Sequence, residues 1–206
     1  MTGELRMENA SVRSGRLSDA EDFSALALHS GPELLPALFG PTVRGLWRDA
    51  FRHRRSCFSF EHSRFIDVNG RTAGMALSYD FERKRSEEFE SLMVILRYLR
   101  WHFLAQITCL RRSSSIVAQI AQGDHYLSNI AVYPESRCLG CGAILLTAVE
   151  EEARRAGSKR MVIDVESDHE RAIRFYERLG YVVESKSPPL RTRQRDFDFF
   201  KMSKVL

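Results

Sequence analysis

Apolar positions along the chain fall into runs of two periods. Residues 11–17 alternate enough for a short strand, and Ser18-Asp19-Ala20-Glu21 has the form of a capping box that opens a helix to about His29. Residues 32–55 read as one or two further helices, broken near Gly40-Pro41, with Leu46, Trp47 and Phe51 on an apolar face. Residues 64–68 and 72–80 flank Asn69-Gly70, the pair that best tolerates a tight hairpin turn, so they are predicted as strands two and three. Between residues 86 and 112, Phe89, Leu92, Leu96, Leu99, Phe103, Ile107 and Leu110 recur at steps of three and four. That is an amphipathic helix, which packs on the core, on a second subunit or over a substrate.

A polar break at residues 111–115 precedes an apolar stretch ending in Tyr126-Leu127-Ser128-Asn129-Ile130-Ala131-Val132, a buried strand bounded by Tyr133-Pro134. Residues 143–156 form a helix with Leu145, Val149, Ala153 and Ala156 on one face and Gly157 at the C-terminal cap position. Residues 160–165 are a core strand. Ser167-Asp168-His169-Glu170 is a second capping box, opening a helix that buries Ala172, Phe175 and Leu179 and stops at Gly180. Residues 181–183 and 196–202, separated by a Pro188-Pro189 loop, read as the last two strands. Strand and helix alternate through this half, so the class is α/β with a mixed sheet, and residues 1–206 are read as one folding unit.

A content of 44% hydrophobic and 28% charged residues is that of a globular chain and excludes disordered and collagen classes. The longest apolar run in the middle of the chain, residues 92–96, is far short of the roughly 20 residues of a spanning helix. Residues 1–10 lack the apolar core and small-residue cleavage site of a secretory signal, which points to a cytoplasmic protein without a membrane partner. The net charge of +4 suits either an anionic cofactor or weak nucleic-acid contact and does not choose between them. The basic cluster Arg52-His53-Arg54-Arg55 reads as a solvated helix end, so no nucleic-acid partner is expected. The four cysteines are read as reduced thiols. Cys138-Leu139-Gly140-Cys141 has CxxC spacing, but no second CxxC or nearby Cys/His pair completes a ligand set, and no metal is expected.

The segment Val132-Tyr133-Pro134-Glu135-Ser136-Arg137-Cys138-Leu139-Gly140-Cys141-Gly142-Ala143 runs from a strand through a glycine-bearing loop into a helix. Such a junction binds phosphate, because the first amides of a helix have no internal partner and its dipole end is positive. Arg137-x-x-Gly140-x-Gly142, after a strand ending in Ile130-Ala131-Val132 and Pro134, resembles the RxxGxG/A motif of the GNAT acyltransferases, which grips the pyrophosphate of acetyl-CoA. Asp164-Val165-Glu166-Ser167 followed by Ala172-Ile173-Arg174-Phe175-Tyr176-Glu177-Arg178-Leu179-Gly180-Tyr181 resembles that family's second signature. The resemblance covers residues 120–187 closely and the N-terminal half only in its order of elements.

It implies the GNAT fold: a mixed, mostly antiparallel central sheet of about seven strands flanked by helices, with a helical insert at about residues 86–112 between strands three and four. It also implies transfer of an acetyl group from acetyl-CoA to a primary amine of a small-molecule or peptide acceptor by direct attack, by a monomer or homodimer. Carried over by residue, the amides of Cys138, Leu139, Gly140, Cys141, Gly142 and Ala143 would bind the pyrophosphate, with Arg137 at its edge. The backbone of Ile130, Ala131 and Val132 would pair with the pantetheine arm, and Tyr176 would be the general acid. Read without the resemblance, Tyr176 is a core aromatic.

His169 stands where the family often has an asparagine that bonds the cofactor. Tyr126 stands where some members carry a glutamate base, which leaves Asp124, His125 and Glu166 as nearby candidates, directly or through water. These two departures also motivate a second reading, a domain that binds or senses acyl-CoA without catalysis.

Overall fold

The computed structural model describes residues 10–99, 112–137 and 139–206. Nine strands are assigned among them: β1 (Ala10–Ser14), β2 (Ser63–Val68), β3 (Arg71–Asp80), β4 (Asp124–Val132), β5 (Arg160–Glu166), β6 (Val182–Lys186), β7 (Leu190–Arg191), β8 (Asp196–Phe197) and β9 (Phe199–Val205). Seven of them form one sheet in the order β1-β2-β3-β4-β5-β9-β6, and β7 and β8 pair as a separate ribbon. Neighbours in the sheet are antiparallel except β4 and β5. This is the mixed, mostly antiparallel seven-stranded sheet expected. Asn69 and Gly70 both have positive φ, 51° and 74°, as a two-residue turn between twisted strands requires.

Helices cover both faces. On one side α1 (Ala20–Ser30), α2 (Leu34–Phe39) and α3 (Val43–Arg52) pack against Phe65, Met75 and Leu77. Phe23 stacks on Phe51 with ring centroids 4.4 Å apart. Leu46, Trp47 and Phe51 are buried here, as their spacing predicts. On the other side α5 (Cys141–Arg155) and α6 (Glu170–Arg178) pack against Ile66, Val68, Ile163 and Val165. Burying each such side chain contributes roughly 1.5–3 kcal/mol.

Neither capping box predicted from the sequence forms on its helix. A 3-10 turn, Leu17–Asp19, precedes α1, and the carboxylate of Asp19 accepts from the Arg16 amide (2.7 Å) and from Arg13 Nη1 (2.7 Å). Arg13 also donates to Asp67 at 2.6 Å, so one guanidinium ties β1, β2 and the start of α1 together. At the second box, Ser167 donates its hydroxyl to Asp198 instead of capping α6, whose N-cap residue is His169. In α6 Ala172, Phe175 and Leu179 are only partly buried, and Tyr176 is the residue that the core encloses.

The insert helix, α4 (Phe81–Leu99), begins five residues earlier than predicted, capped by Asp80, whose Oδ1 accepts from the Arg83 amide at 2.7 Å. Phe103, Ile107, Leu110 and the rest of residues 100–111 lie outside the described residues. The face that seats α4 also differs. Phe89 and Leu92 are exposed, whereas Val94, Ile95 and Tyr98 pack on the core, and the buried polar residues Glu87 and Ser91 bond His62 Nε2 (2.7 Å) and the Cys57 amide (2.9 Å). Polar partners fixed the rotation of this helix, which a search for apolar periodicity does not see. Among the described residues no helix is long and apolar enough to cross a membrane.

Candidate functional site

The site is built on an interruption of the sheet. β4 and β5 pair only over Asp124–Tyr126 and Arg160–Val162, after which β4 runs on to Val132 and β5 to Glu166 without pairing to each other. The cause lies in β4: against β3, Leu77 opposes Asn129 and Ser78 opposes Leu127, so Ser128 is the extra residue of a β-bulge. A bulge bends its strand, and here the bend opens a gap whose walls carry backbone groups left without a strand partner. Ile130, Ala131 and Val132 form one wall. Tyr133 and Asn129 tie this wall to α1, through Tyr133 Oη to Asp22 Oδ1 (2.7 Å) and Asn129 Nδ2 to Ser30 Oγ (2.6 Å).

At the open end β4 passes through a 3-10 turn, Pro134–Ser136, and exposed Arg137 into α5. Gly140 is the N-cap with φ 76° and ψ 0°, left-handed values that a glycine accepts without strain. Its carbonyl already takes the Ala143 amide (3.0 Å) and the Ile144 amide (3.1 Å), so the Ala143 amide expected to hold a ligand is engaged within the first turn. The amides of Cys141 and Gly142 precede that bond and are the ones a phosphate can reach. Cys141 turns its thiol into the core, 1% exposed, so it offers the site only its backbone. Cys138 lies outside the described residues. A Cβ on Gly142 would come 3.4 Å from Phe175 Cζ, so α6 closes directly over the start of α5.

Tyr176 sits on the α5 and α6 side of the gap with Ile163 and Val165, 4% exposed, its ring edge-on to Phe175 and Tyr181. Its hydroxyl makes no hydrogen bond among the described residues, and burial pushes the phenol well above its ordinary value. His169 has an exposed side chain, and it contributes backbone: its carbonyl accepts from the Ala172 and Ile173 amides at 2.9 and 3.1 Å.

Of the three carboxylate and imidazole candidates for a base, two are unsuited. Asp124 is held by Arg160 through Nε (2.9 Å) and Nη2 (3.0 Å) at the paired end of β4; burial works against its charge, and the Arg160 and Ala121 bonds outweigh this and lower its pKa. His125 is buried beside Ser78 Oγ (3.1 Å), opposite Met161 in the paired part of β4 and β5 and not in the gap, and burial pulls its ring down to about 4. Glu166 borders the gap but is paired with Arg195 Nη2 at 2.8 Å; burial raises its pKa and Arg195 opposes the rise.

The carboxylate that sequence reasoning missed is Asp164. It lies two residues past the last paired residue of β5, on the face opposite Tyr176, where it accepts from Tyr126 Oη (3.0 Å) and from the Ala118 amide (2.7 Å). Burial raises its pKa, with those two bonds acting against the rise. The signal for it was present: an aspartate inside the apolar run Met161-Val162-Ile163-Asp164-Val165 is a buried charge that needs a reason. A surface hollow lined by Asp80, Phe81, Gly123, Asp124 and Lys159 lies at the paired ends of β4 and β5 and includes none of the motif residues.

Gap, helix start and enclosed tyrosine lie together at one end of the sheet, and comparison with known proteins places the chain in a family. The chain matches the acetyltransferase (GNAT) family over residues 33–181, and it belongs to that family. A 65-residue stretch is 31% identical to the L-amino acid N-acyltransferase MnaT of Escherichia coli (strain K12), covering 32% of this chain and 38% of that relative. The match thus spans well under half of the relative's length. Among solved structures, an N-acetyltransferase from Staphylococcus aureus Mu50 superposes with a TM-score of 0.66 at 15% identity, over 94% of this chain and all of the other. The putative acetyltransferase yncA from Salmonella typhimurium, solved with its cofactor acetyl-CoA, superposes with a TM-score of 0.62 at 18% identity, over 96% and 94% of the two chains. At these identities the likeness is one of fold.

Proposed function

We propose that the chain is an acetyl-CoA-dependent N-acetyltransferase that acts on a primary amine by direct attack. The observation that carries this reading is the opening of β4 from β5 beyond Tyr126 and Val162, with the start of α5 at its mouth and Tyr176 and Asp164 on its two faces. The residues suit acetyl-CoA: the amides of Cys141 and Gly142 for the pyrophosphate, the free edge of Ile130–Val132 for an extended amide-bearing arm, and a glycine at 142 where a side chain would intrude. Bound there, the cosubstrate supplies an acyl group activated as a thioester.

The chain's own groups then divide the proton work. Asp164 accepts the proton that the amine nitrogen loses as its bond to the acyl carbon forms, and burial suits it by raising its basicity. Tyr176 gives its phenolic proton to the sulfur as the carbon–sulfur bond breaks, and bulk water restores both groups between turnovers. A backbone amide of the bulged β4 edge donates to the acyl oxygen as charge builds on it. The Glu33, Glu166 and Asp168 carboxylates around Arg195 line the acceptor side with net negative charge, which suits an amine.

Acetyl-CoA with peptides, polyamines, amino acids and aminoglycosides, followed by CoA release, tests the proposal. Release that depends on one amine class supports transfer. Tight acetyl-CoA binding without release across all of them overturns it in favour of an acyl-CoA-binding domain.

A further inference from the structure

The chain between α4 and β4 crosses the face of the sheet on which Asp164 lies. Residues 112–116 make a single helical turn, and Val117, Ala118 and Ile120 then pack against Cys57, Tyr79, Tyr126 and Val162. Ala118 has φ 59°, a left-handed conformation that costs a residue with a Cβ. That conformation aims its amide at Asp164 Oδ2, 2.7 Å away. Its carbonyl, on the other side of the same residue, accepts from Lys84 Nζ at 2.6 Å, and the next carbonyl, Gln119, accepts from Lys201 Nζ at 2.5 Å. Two lysines from α4 and β9 thus pin the strap down where it touches the carboxylate.

We propose that residues 116–120 are a working part of the transfer site: the Ala118 amide fixes the Asp164 carboxylate beside the gap, with Lys84 and Lys201 as positioning residues that keep the strap seated. The inference rests on Asp164 as the proton acceptor proposed above. An aspartate side chain on a strand swings about two torsions, and Tyr126 Oη alone constrains it from one direction. The Ala118 amide adds a donor on the strap side and so selects one rotamer.

The same bond sets the proton affinity of the carboxylate. The groups facing Asp164 are Lys84 from α4, Lys201 from β9, Tyr126 from β4 with Tyr79 of β3 behind it, and the Ala118 amide. Burial holds both phenols above their ordinary value, so they stay neutral and the carboxylate meets one amide, one hydroxyl and two cations. All of these favour the ionised form that takes up a proton. Unseating the strap removes the amide and turns the carboxylate into a stronger but unheld base, protonated at a higher pH.

Ala118→Val and Ala118→Gly separate these effects from charge, since neither variant changes a charge or removes the amide. A β-branched residue resists the left-handed conformation and unseats the strap, whereas glycine adopts it freely. Chain labelled with carbon-13 at aspartate carboxyls, with the Asp164 signal assigned by its loss in Asp164→Asn, reports the titration directly and needs no acceptor. Ala118→Val should raise the proton affinity of Asp164 about tenfold, the effect of one lost hydrogen bond to a charged group, and Ala118→Gly should leave it unchanged. Lys84→Met should shift it in the same direction, and Lys84→Arg should restore it. An Asp164 signal that titrates identically in wild type and Ala118→Val overturns the proposal. With an amine that gives CoA release, Asp164→Asn at full wild-type rate removes the base assignment instead, so the two failures are distinct.

Discussion

Gly142→Val tests the cofactor assignment at its narrowest point. A ligand that binds only the folded chain stabilises it by RT ln(1 + [L]/Kd), about 2.7 kcal/mol at a concentration one hundred times Kd. For a chain of this size 1 kcal/mol shifts the melting temperature by roughly 2–4 °C, so saturating acetyl-CoA should raise wild-type Tm by about 5–10 °C. Gly142 is not among the residues of positive φ, so valine can take its backbone conformation. Its Cβ would meet only the edge of Phe175, at 3.4 Å and 3.6 Å, and Val132 Cγ2 at 3.9 Å. These are ordinary van der Waals contacts, so the fold should stay intact. Under the proposed placement the added valine methyls should obstruct approach to the first free amides of α5. If affinity falls a hundredfold, the same ligand concentration stabilises by only about 0.4 kcal/mol, a shift of about 1 °C. Thermal denaturation of both proteins, with and without acetyl-CoA, reads the difference. A folded Gly142→Val that shows the full wild-type shift would refute the placement of the pyrophosphate at this helix start.

Tyr176→Phe should lower the chemical step about a hundredfold to ten-thousandfold while leaving acetyl-CoA affinity and Tm nearly unchanged, because the hydroxyl makes no hydrogen bond among the described residues. Pre-steady-state CoA release measures this, and an unchanged step returns Tyr176 to a packing role. Cys141→Ser should keep the acetyl-CoA shift and turnover, since only its backbone faces the site, but lose about 1–3 kcal/mol of stability from a hydroxyl buried where a thiol was. Loss of turnover with binding intact would point to the thiol in the chemistry. His125 makes stability depend on pH: its folded ring titrates near 4, against about 6.5 unfolded, so the unfolded chain binds more protons between those values. This contribution is complete above about pH 6.5 and lost as pH falls toward 4, up to about 3 kcal/mol, while Asp164 and Glu166, raised by burial, act in the opposite sense. Urea titrations between pH 7 and 4.5 should show a shallower loss for His125→Gln, and equal slopes would discard the buried imidazole as the cause.

The elements written in local code were legible in the sequence. Asn69-Gly70 marked a hairpin because two adjacent residues of positive φ are rarely tolerated elsewhere, and both residues have it. Gly157 marked the end of α5 for the same reason, with φ 81°. What misled was chemistry that is close in space but lies outside the predicted frames. Ser18 and Ser167 both sat in good capping frames, yet Asp19 found Arg13 and the Arg16 amide, upstream of its frame, and Ser167 found Asp198 across the sheet end, 31 residues away. The rotation of α4 was misread likewise, because Glu87 and Ser91 are buried through His62 and Cys57, 25 and 34 residues away.

In the site, the half that works through backbone was readable, since glycine spacing reports backbone conformation directly, and Gly140 has the left-handed φ of 76° that its place in the motif requires. The half that works through side chains was not, because it depends on where β4 leaves β5. That point is set by the bulge at Ser128, which has no sequence mark of its own. Once the strands part after Tyr126 and Val162, β5 alternation sends Ile163 and Val165 toward Tyr176 and Asp164 toward the other face. The proposed acid and base therefore flank the gap from opposite sides, although they are carried 12 positions apart on consecutive elements. Under the proposed roles the same alternation lets the Tyr126 hydroxyl on β4 reach Asp164 across the opening, so the proposed carboxylate base is carried on β5 and not on β4. A glutamate restored at 126 would put two carboxylates in contact there. Like charges in one buried site raise each other's pKa, and the rate near neutrality should fall as a result.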